Sequence, residues 1–256
     1  MDDALPPLAG FFTWFGDFAC FCGRVLRTAC TPPVEWRELG RQLDQVGAQS
    51  LLLVGLAGAA TGAVFSLEAR DSLLRFGAKP LLPTVIVLSL IKESGPIITG
   101  LMMCGRVGAS IGAELAAMKV TEQIDAMEAS AVDPYRYLVA TRVVACMLML
   151  PLLTLAADFC GIFTGWLTTT LADPLSLRLF INSGFARVSF DDLVPSTLKT
   201  AVFGVIIGTV ACFEGLRAQS STAGVERAAA RAVVFSSIFI ILADVVLVRL
   251  ILVLFP

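Results

Sequence analysis

Six ionisable residues interrupt the otherwise uncharged apolar runs of this chain: Lys92, Glu93, Asp158, Lys199, Asp244 and Arg249. Three are cations and three are anions. In a medium without water a lone charge costs several kcal/mol, about 2.5–3.5 on insertion scales, so such residues pair, stay wet or meet a charged ligand. Lys92 and Glu93 carry a further cue in the Ser94-Gly95-Pro96 that follows them. A proline there removes one helical hydrogen bond and frees the Lys92 carbonyl, which predicts a kink or break beside the pair. Charge and unpaired backbone together at mid-membrane are how transporters build binding sites. The plainer alternatives are salt bridges between helices and an ordinary packed kink.

The elements that hold these residues follow from composition. The chain has 256 residues, 57% hydrophobic and only 16% charged, with a mean hydropathy of +0.83. Soluble domains carry about a quarter charged residues, so an all-α integral membrane protein is expected. Five uncharged or nearly uncharged runs reach the ~20 residues needed to cross ~30 Å of hydrocarbon. They are Gln45 to Leu67, Pro80 to Gly105, Val143 to Ala172, Leu193 to Phe213 and Ala232 to Pro256. With the N-terminus inside, eleven Lys and Arg residues fall in cytoplasmic segments and five in outer loops, and this bias predicts N-inside, C-outside. At about 1.5 Å per residue, Lys92, Glu93 and Asp244 fall near mid-bilayer, and Lys199 and Arg249 roughly 10 Å below the outer surface. An outward-opening pocket fits that spread.

Before the first run, residues 1–44 form a separate N-terminal segment. Leu5 to Cys30 is aromatic, with Phe11, Phe12, Trp14, Phe15, Phe18 and Phe21, but Asp17 cuts it too short to cross. It reads as an interfacial amphipathic helix. Residues 45–256 form the transmembrane domain. GxxxG pairs at Gly58/Gly62, Gly108/Gly112, Gly161/Gly165 and Gly204/Gly208 predict close helix contacts, within one bundle or between two copies.

Between the second and third runs the chain is too charged to span and too rich in helix formers to be a plain loop. Thr121 is placed to cap a surface helix of about 121–133 that Asp133-Pro134 stops. Glu122, Asp125 and Glu128 form an acidic edge beside Ile124, Met127 and Ala131, a docking surface for a separate protein or a lid packed on the membrane.

Absences narrow the chemistry. There is no histidine, no Gly-Lys and no pair of glycines two apart, so His-based hydrolase sites, the Walker A loop and GxGxxG are all excluded. The chain cannot hydrolyse ATP itself. The seven cysteines lack metal-type CxxC pairs and read mostly as small core residues, and no basic stripe points to nucleic acid.

The residues assembled so far resemble a known family. The stretch LIKESGPIITGLMMCGRVGASIGAELAAMKVTEQIDAMEASAVDPYRYLVATRV, from Leu90 to Val143, closely resembles the signature of the MlaE/YrbE permeases. The likeness continues through STLKTAVFG around Lys199, STAGVERAAARAVV after the fourth run, and the Asp244 region. Ala116 stands where a glycine is common after the AEL triplet, and Thr141 where a proline often precedes the arginine of the third span.

The resemblance implies the permease subunit of an ABC transporter moving phospholipids between the bacterial inner membrane and the outer envelope. It also implies a homodimer, a cytoplasmic MlaF-type ATPase that binds the ATP, and an MlaD-type MCE protein on the outer side. By position in the motif, Lys92 and Glu93 look like a charged pair below a lipid cavity, and Lys199, Asp244 and Arg41 like further polar positions around it. Glu122, Asp125, Met127, Glu128 and Asp133 look like the coupling helix. No cofactor of its own, no metal and no catalytic residue are expected. The alternative is a proton-coupled secondary transporter using Glu93 or Asp244, which should show an internal repeat; none is seen.

Overall fold

A computed structural model describes residues 7–29 and 36–254. Leu5, Cys30 and Pro256, ends of two expected segments, lie outside the described residues. Among the described residues every regular element is helical, and five helical stretches are long and apolar enough to cross a membrane. The first joins α2 (Trp36–Val46) to α3 (Leu51–Arg75) through a short tight turn. The second, Lys79–Val120, strings together α4 (Leu82–Ser89), α5 (Gly95–Met103) and α6 (Ala109–Val120). After the short α7 (Gln123–Ala129) come α8 (Thr141–Ala172), the small α9 (Leu177–Phe185), α10 (Phe190–Leu216) and α11 (Thr222–Leu254). A separate α1 (Pro7–Ala29) precedes them.

All five expected runs are present, but the helices outrun them. A helix continues into water for as long as capping and side-chain pairs sustain it, so apolarity marks the hydrocarbon and not the helix end. The boundary expected at residue 44 therefore falls inside α2, which leads into the first span, and α1 alone precedes the spans as a helix of its own.

The glycine pairs pack within one chain. A Cβ at Gly58 or Gly62 would overlap the backbone of Ala157 or Gly161 on α8, and one at Gly204 would overlap Cys146. Gly112 meets Ala228 and Ala232 of α11. Without a hydrophobic force between helices in lipid, this close approach is what holds the bundle.

The proline is absorbed without a break. Leu90–Ser94 widens into one π-helical turn in which the Gly95 N–H reaches the Leu90 carbonyl. Pro96 then sits in the first turn of α5, where a missing N–H costs little. The expected break is thus a local widening at Lys92 and Glu93. A second π-turn, Cys104–Gly108, follows on the same span.

α1 is docked firmly. The Trp14 indole stacks on Phe18 and Phe235, with centroids 5.4 and 4.8 Å away, and donates to Glu214 Oε1 at 3.0 Å. Asp17 pairs with Arg217 at 2.9 Å, and the Arg24 guanidinium lies 4.9 Å over the Tyr135 ring. Of the described cysteines, Cys104, Cys146 and Cys212 are buried as expected, whereas Cys20 on α1 is exposed.

Candidate functional site

Glu93, Lys199 and Asp244 lie eleven, nine and ten residues from the start of α4, the start of α10 and the end of α11. At about 1.5 Å per residue these are similar depths of roughly 14–17 Å, half of a ~30 Å hydrocarbon layer. The three meet. Lys199 Nζ is 3.1 Å from Glu93 Oε2 and 3.1 Å from Asp244 Oδ1. Lys199 is therefore deeper than the shallower level expected for it. The Ser189 cap, with Asp192 closing the capping box, starts α10 before Leu193, the first residue of the apolar run.

Access is uneven. The Lys199 side chain is 1% exposed and Asp244 10%, but Glu93 is 45% exposed. Ser196 and Thr200 are buried on α10 beside Lys199. The ammonium is thus enclosed between two carboxylates, and the cluster sums to one negative charge that opens at Glu93. Lys92 turns to a different partner, Asp192 Oδ1 at 2.6 Å, and is itself 45% exposed. The widened turn hence presents adjacent cationic and anionic groups, each half-exposed.

Arg41 and Arg249 stand apart from this cluster, exposed on α2 and near the end of α11. Asp158 is buried against Gly95, and its Oδ1 has no hydrogen-bond partner among the described residues. No group of metal-ligating side chains forms among the described residues. Sequence reasoning missed Asp192, cut off by the apolar threshold although Ser189-x-x-Asp192 reads as a cap. It also did not pair Arg142 with Glu114, which lie 3.0 Å apart with the Arg142 side chain 1% exposed.

Near the other end of the bundle, α7 presents the expected acidic edge. Asp125, Glu128 and Asp133 are exposed, Ile124 is buried and Met127 half-buried. The helix is shorter than the expected 121–133. Thr121 ends α6, its hydroxyl donating to the Ala117 carbonyl at 3.0 Å, and Glu122 takes a left-handed φ of 57° before α7 begins. Ala131, at φ 60°, reverses the chain after it, and Asp133 accepts the Tyr135 N–H at 3.0 Å, opening the next helical turn. Left-handed conformations cost non-glycine residues of order 1 kcal/mol, so the flanking contacts hold this segment in shape.

At the end away from α7, Asp173 receives Lys79 at 2.8 Å and Arg70 at 3.1 Å. Hydrogen bonds from Lys79 and then Arg70 hold its carboxyl below the usual carboxylate range.

These features define a polytopic all-α membrane protein with a buried three-residue ion cluster, a widened helical turn beside it and an acidic surface helix. The profile of the family described as "Permease MlaE" matches residues 39–250, and the chain belongs to that family. It is 37% identical over 235 residues to "Probable ABC transporter permease protein" of Rickettsia felis, covering 92% of this chain and 91% of that protein. It is 32% identical over 210 residues to "Intermembrane phospholipid transport system permease protein MlaE" of Haemophilus influenzae, covering 82% and 80%. "Protein TRIGALACTOSYLDIACYLGLYCEROL 1, chloroplastic" of Arabidopsis thaliana is 30% identical over 237 residues, covering 92% of this chain and 68% of that protein. The chain is thus a multi-pass ABC transporter permease, a transport component.

Proposed function

We propose that this permease moves phospholipids between the bacterial inner membrane and the outer envelope. ATP is bound and hydrolysed by a separate MlaF-type subunit, and lipid passes to or from an MlaD-type MCE protein. The observation that carries the reading is the π-turn at Lys92 and Glu93, two half-exposed opposite charges at mid-span in a chain related to a phospholipid transport permease. The many outward apolar side chains, Leu242, Val245, Val246 and Leu250 on α11 among them, suit acyl chains on either side of the wall. Two copies enclose the cavity as a homodimer, and Glu93 and Lys92 meet the head group while Lys199 and Asp244 hold Glu93 in place. Arg41 supports the cavity from the α2 end.

In this arrangement α7 is cytoplasmic and contacts the ATPase through Glu122, Asp125, Met127, Glu128 and Asp133. Closure of the nucleotide subunits shifts α7, and with it the helices leading to the π-turn. The test is Lys92→Ala/Glu93→Gln in the purified complex with its ATPase. Lipid-stimulated ATP turnover should fall about tenfold or more with assembly intact, since each lost charge-assisted contact is worth about 1.5–3 kcal/mol. Full turnover in that variant would sink the head-group role. Glu128→Lys should instead weaken co-purification of the ATPase, and a labelling cysteine at Arg187, in the turn before α10, should react with an impermeant maleimide from outside.

A further inference from the structure

Where α1 crosses the α10–α11 turn there is a cavity of about 310 Å³. It lies at the end of the bundle that carries α7, because Lys119 at the end of α6 donates to the Leu216 carbonyl at the end of α10 at 2.7 Å. From Lys199 it is about 22 Å along α10, taking Glu214 as its wall and ~1.5 Å per residue. It is therefore separate from the mid-membrane cluster. Its charged lining is Arg217, Arg227, Arg231 and Glu214, with Trp14 as one wall and Gln219 at the turn.

The charges do not cancel. Arg217 pairs with Asp17, and the Glu214 carboxylate accepts the Trp14 indole N–H. Arg227 and Arg231 take part in none of the ion pairs among the described residues, although they stand four apart on one helix face. Like charges at that spacing repel. A cavity that gathers two unpaired guanidiniums beside a third is arranged for an anion. Guanidinium forks match phosphate oxygens in particular.

We infer that this cavity binds a phosphate-bearing group, supplied by the head group of an acidic phospholipid in the leaflet next to α1. Its volume is at the low end for ligand pockets, ~300–1,000 Å³, which suits a head group with its acyl chains left outside. The wall supports the lipid source. Trp14 and the exposed Phe15 sit on a helix with an aromatic face, the kind that lies at a membrane surface, and basic pockets at that level hold anionic head groups. Bound there, the lipid ties α1 to the ends of α10 and α11.

The full chain in nanodiscs of phosphatidylcholine, with or without phosphatidylglycerol, tests this through its unfolding temperature. Phosphatidylglycerol should raise that temperature, and Arg227→Gln/Arg231→Gln should remove more than half of the rise. Arg178→Gln/Arg187→Gln changes net charge equally at exposed positions elsewhere and should keep the rise. Inorganic phosphate added to phosphatidylcholine nanodiscs distinguishes the sources. An arginine-dependent rise with phosphate alone would keep the phosphate site and overturn the lipid as its source. A full phosphatidylglycerol rise in Arg227→Gln/Arg231→Gln, or no rise with either probe, would overturn the site.

Discussion

Lys199 and Asp173 are each the hub of a three-residue ion cluster with almost the same geometry. Lys199 sits 3.1 Å from each of two carboxylates, and Asp173 sits 2.8 and 3.1 Å from two cations. Their surroundings differ completely. Lys199 is 1% exposed at mid-span, whereas Asp173 is about a third exposed where α8 ends. Distance therefore says little about the work an ion pair does. At the exposed hub, water and salt take over whenever a partner is lost, and such pairs contribute little. At the buried hub water reaches neither Lys199 nor Asp244 when its partner is lost, so that pair is obligatory for the fold whether or not it adds net stability.

The largest effect follows at Lys199. Lys199→Met leaves Asp244 buried without its cation and Glu93 without its anchor, and breaking a buried pair costs about 3–5 kcal/mol. Thermal unfolding of the purified chain should show that loss, and Asp244→Asn in the same chain should restore most of it. A Lys199→Met protein as stable as the parent would erase the distinction between the two hubs. A destabilised protein that the second change fails to rescue would mean that Lys199 acts through something other than its charge.

Arg142 lies between the extremes. Its own side chain is 1% exposed, but its partner Glu114 is 41% exposed and can rehydrate when left alone. Arg142→Met also gives up the hydrogen bond to the Leu138 carbonyl at 2.9 Å. The expected cost is about 2 kcal/mol, the range for one charge-assisted hydrogen bond. A loss as large as that at Lys199 would show that burial of one partner is enough to set the scale.

How far these clusters could be foreseen depends on what each needed. The mid-membrane members were legible because a charge inside an apolar run is conspicuous, and Pro96 marked the deformation beside Lys92 and Glu93. The glycine pairs marked the contacts of α3, α8 and α10, because small residues four apart have few other uses in lipid. What could not be read was partnership. Lys92 pairs with Asp192 and Lys199 with Glu93, a choice set by helix rotation and by where the cap at Ser189 starts α10. Asp17 looked like an interruption of an aromatic stretch and proves to be the partner of Arg217, 200 residues away. The brevity of α7 was hidden too, since Glu122 and Ala131 give no local signal for a left-handed backbone.

The smallest effect belongs to Asp173, and its dependence on conditions identifies it. With its folded pKa below the ordinary value, Asp173 contributes stability that is present above its unfolded pKa of ~3.9 and lost as pH falls through the lower folded value. Asp173→Asn should therefore unfold slightly below the parent at neutral pH, and the gap should close as the pH falls from about 4, where the unfolded chain's carboxylate protonates, through the lower folded value. Added salt should also narrow it, because screening lengths shrink from ~10 Å at 0.1 M to ~3 Å at 1 M. Melting curves of both proteins across pH and salt supply the measurement. The Lys199→Met deficit should survive molar salt, since ions cannot enter around a side chain so enclosed. If instead the Asp173→Asn gap is indifferent to both acid and salt, the exposed cluster behaves like the buried one, and burial is not what separates the two hubs.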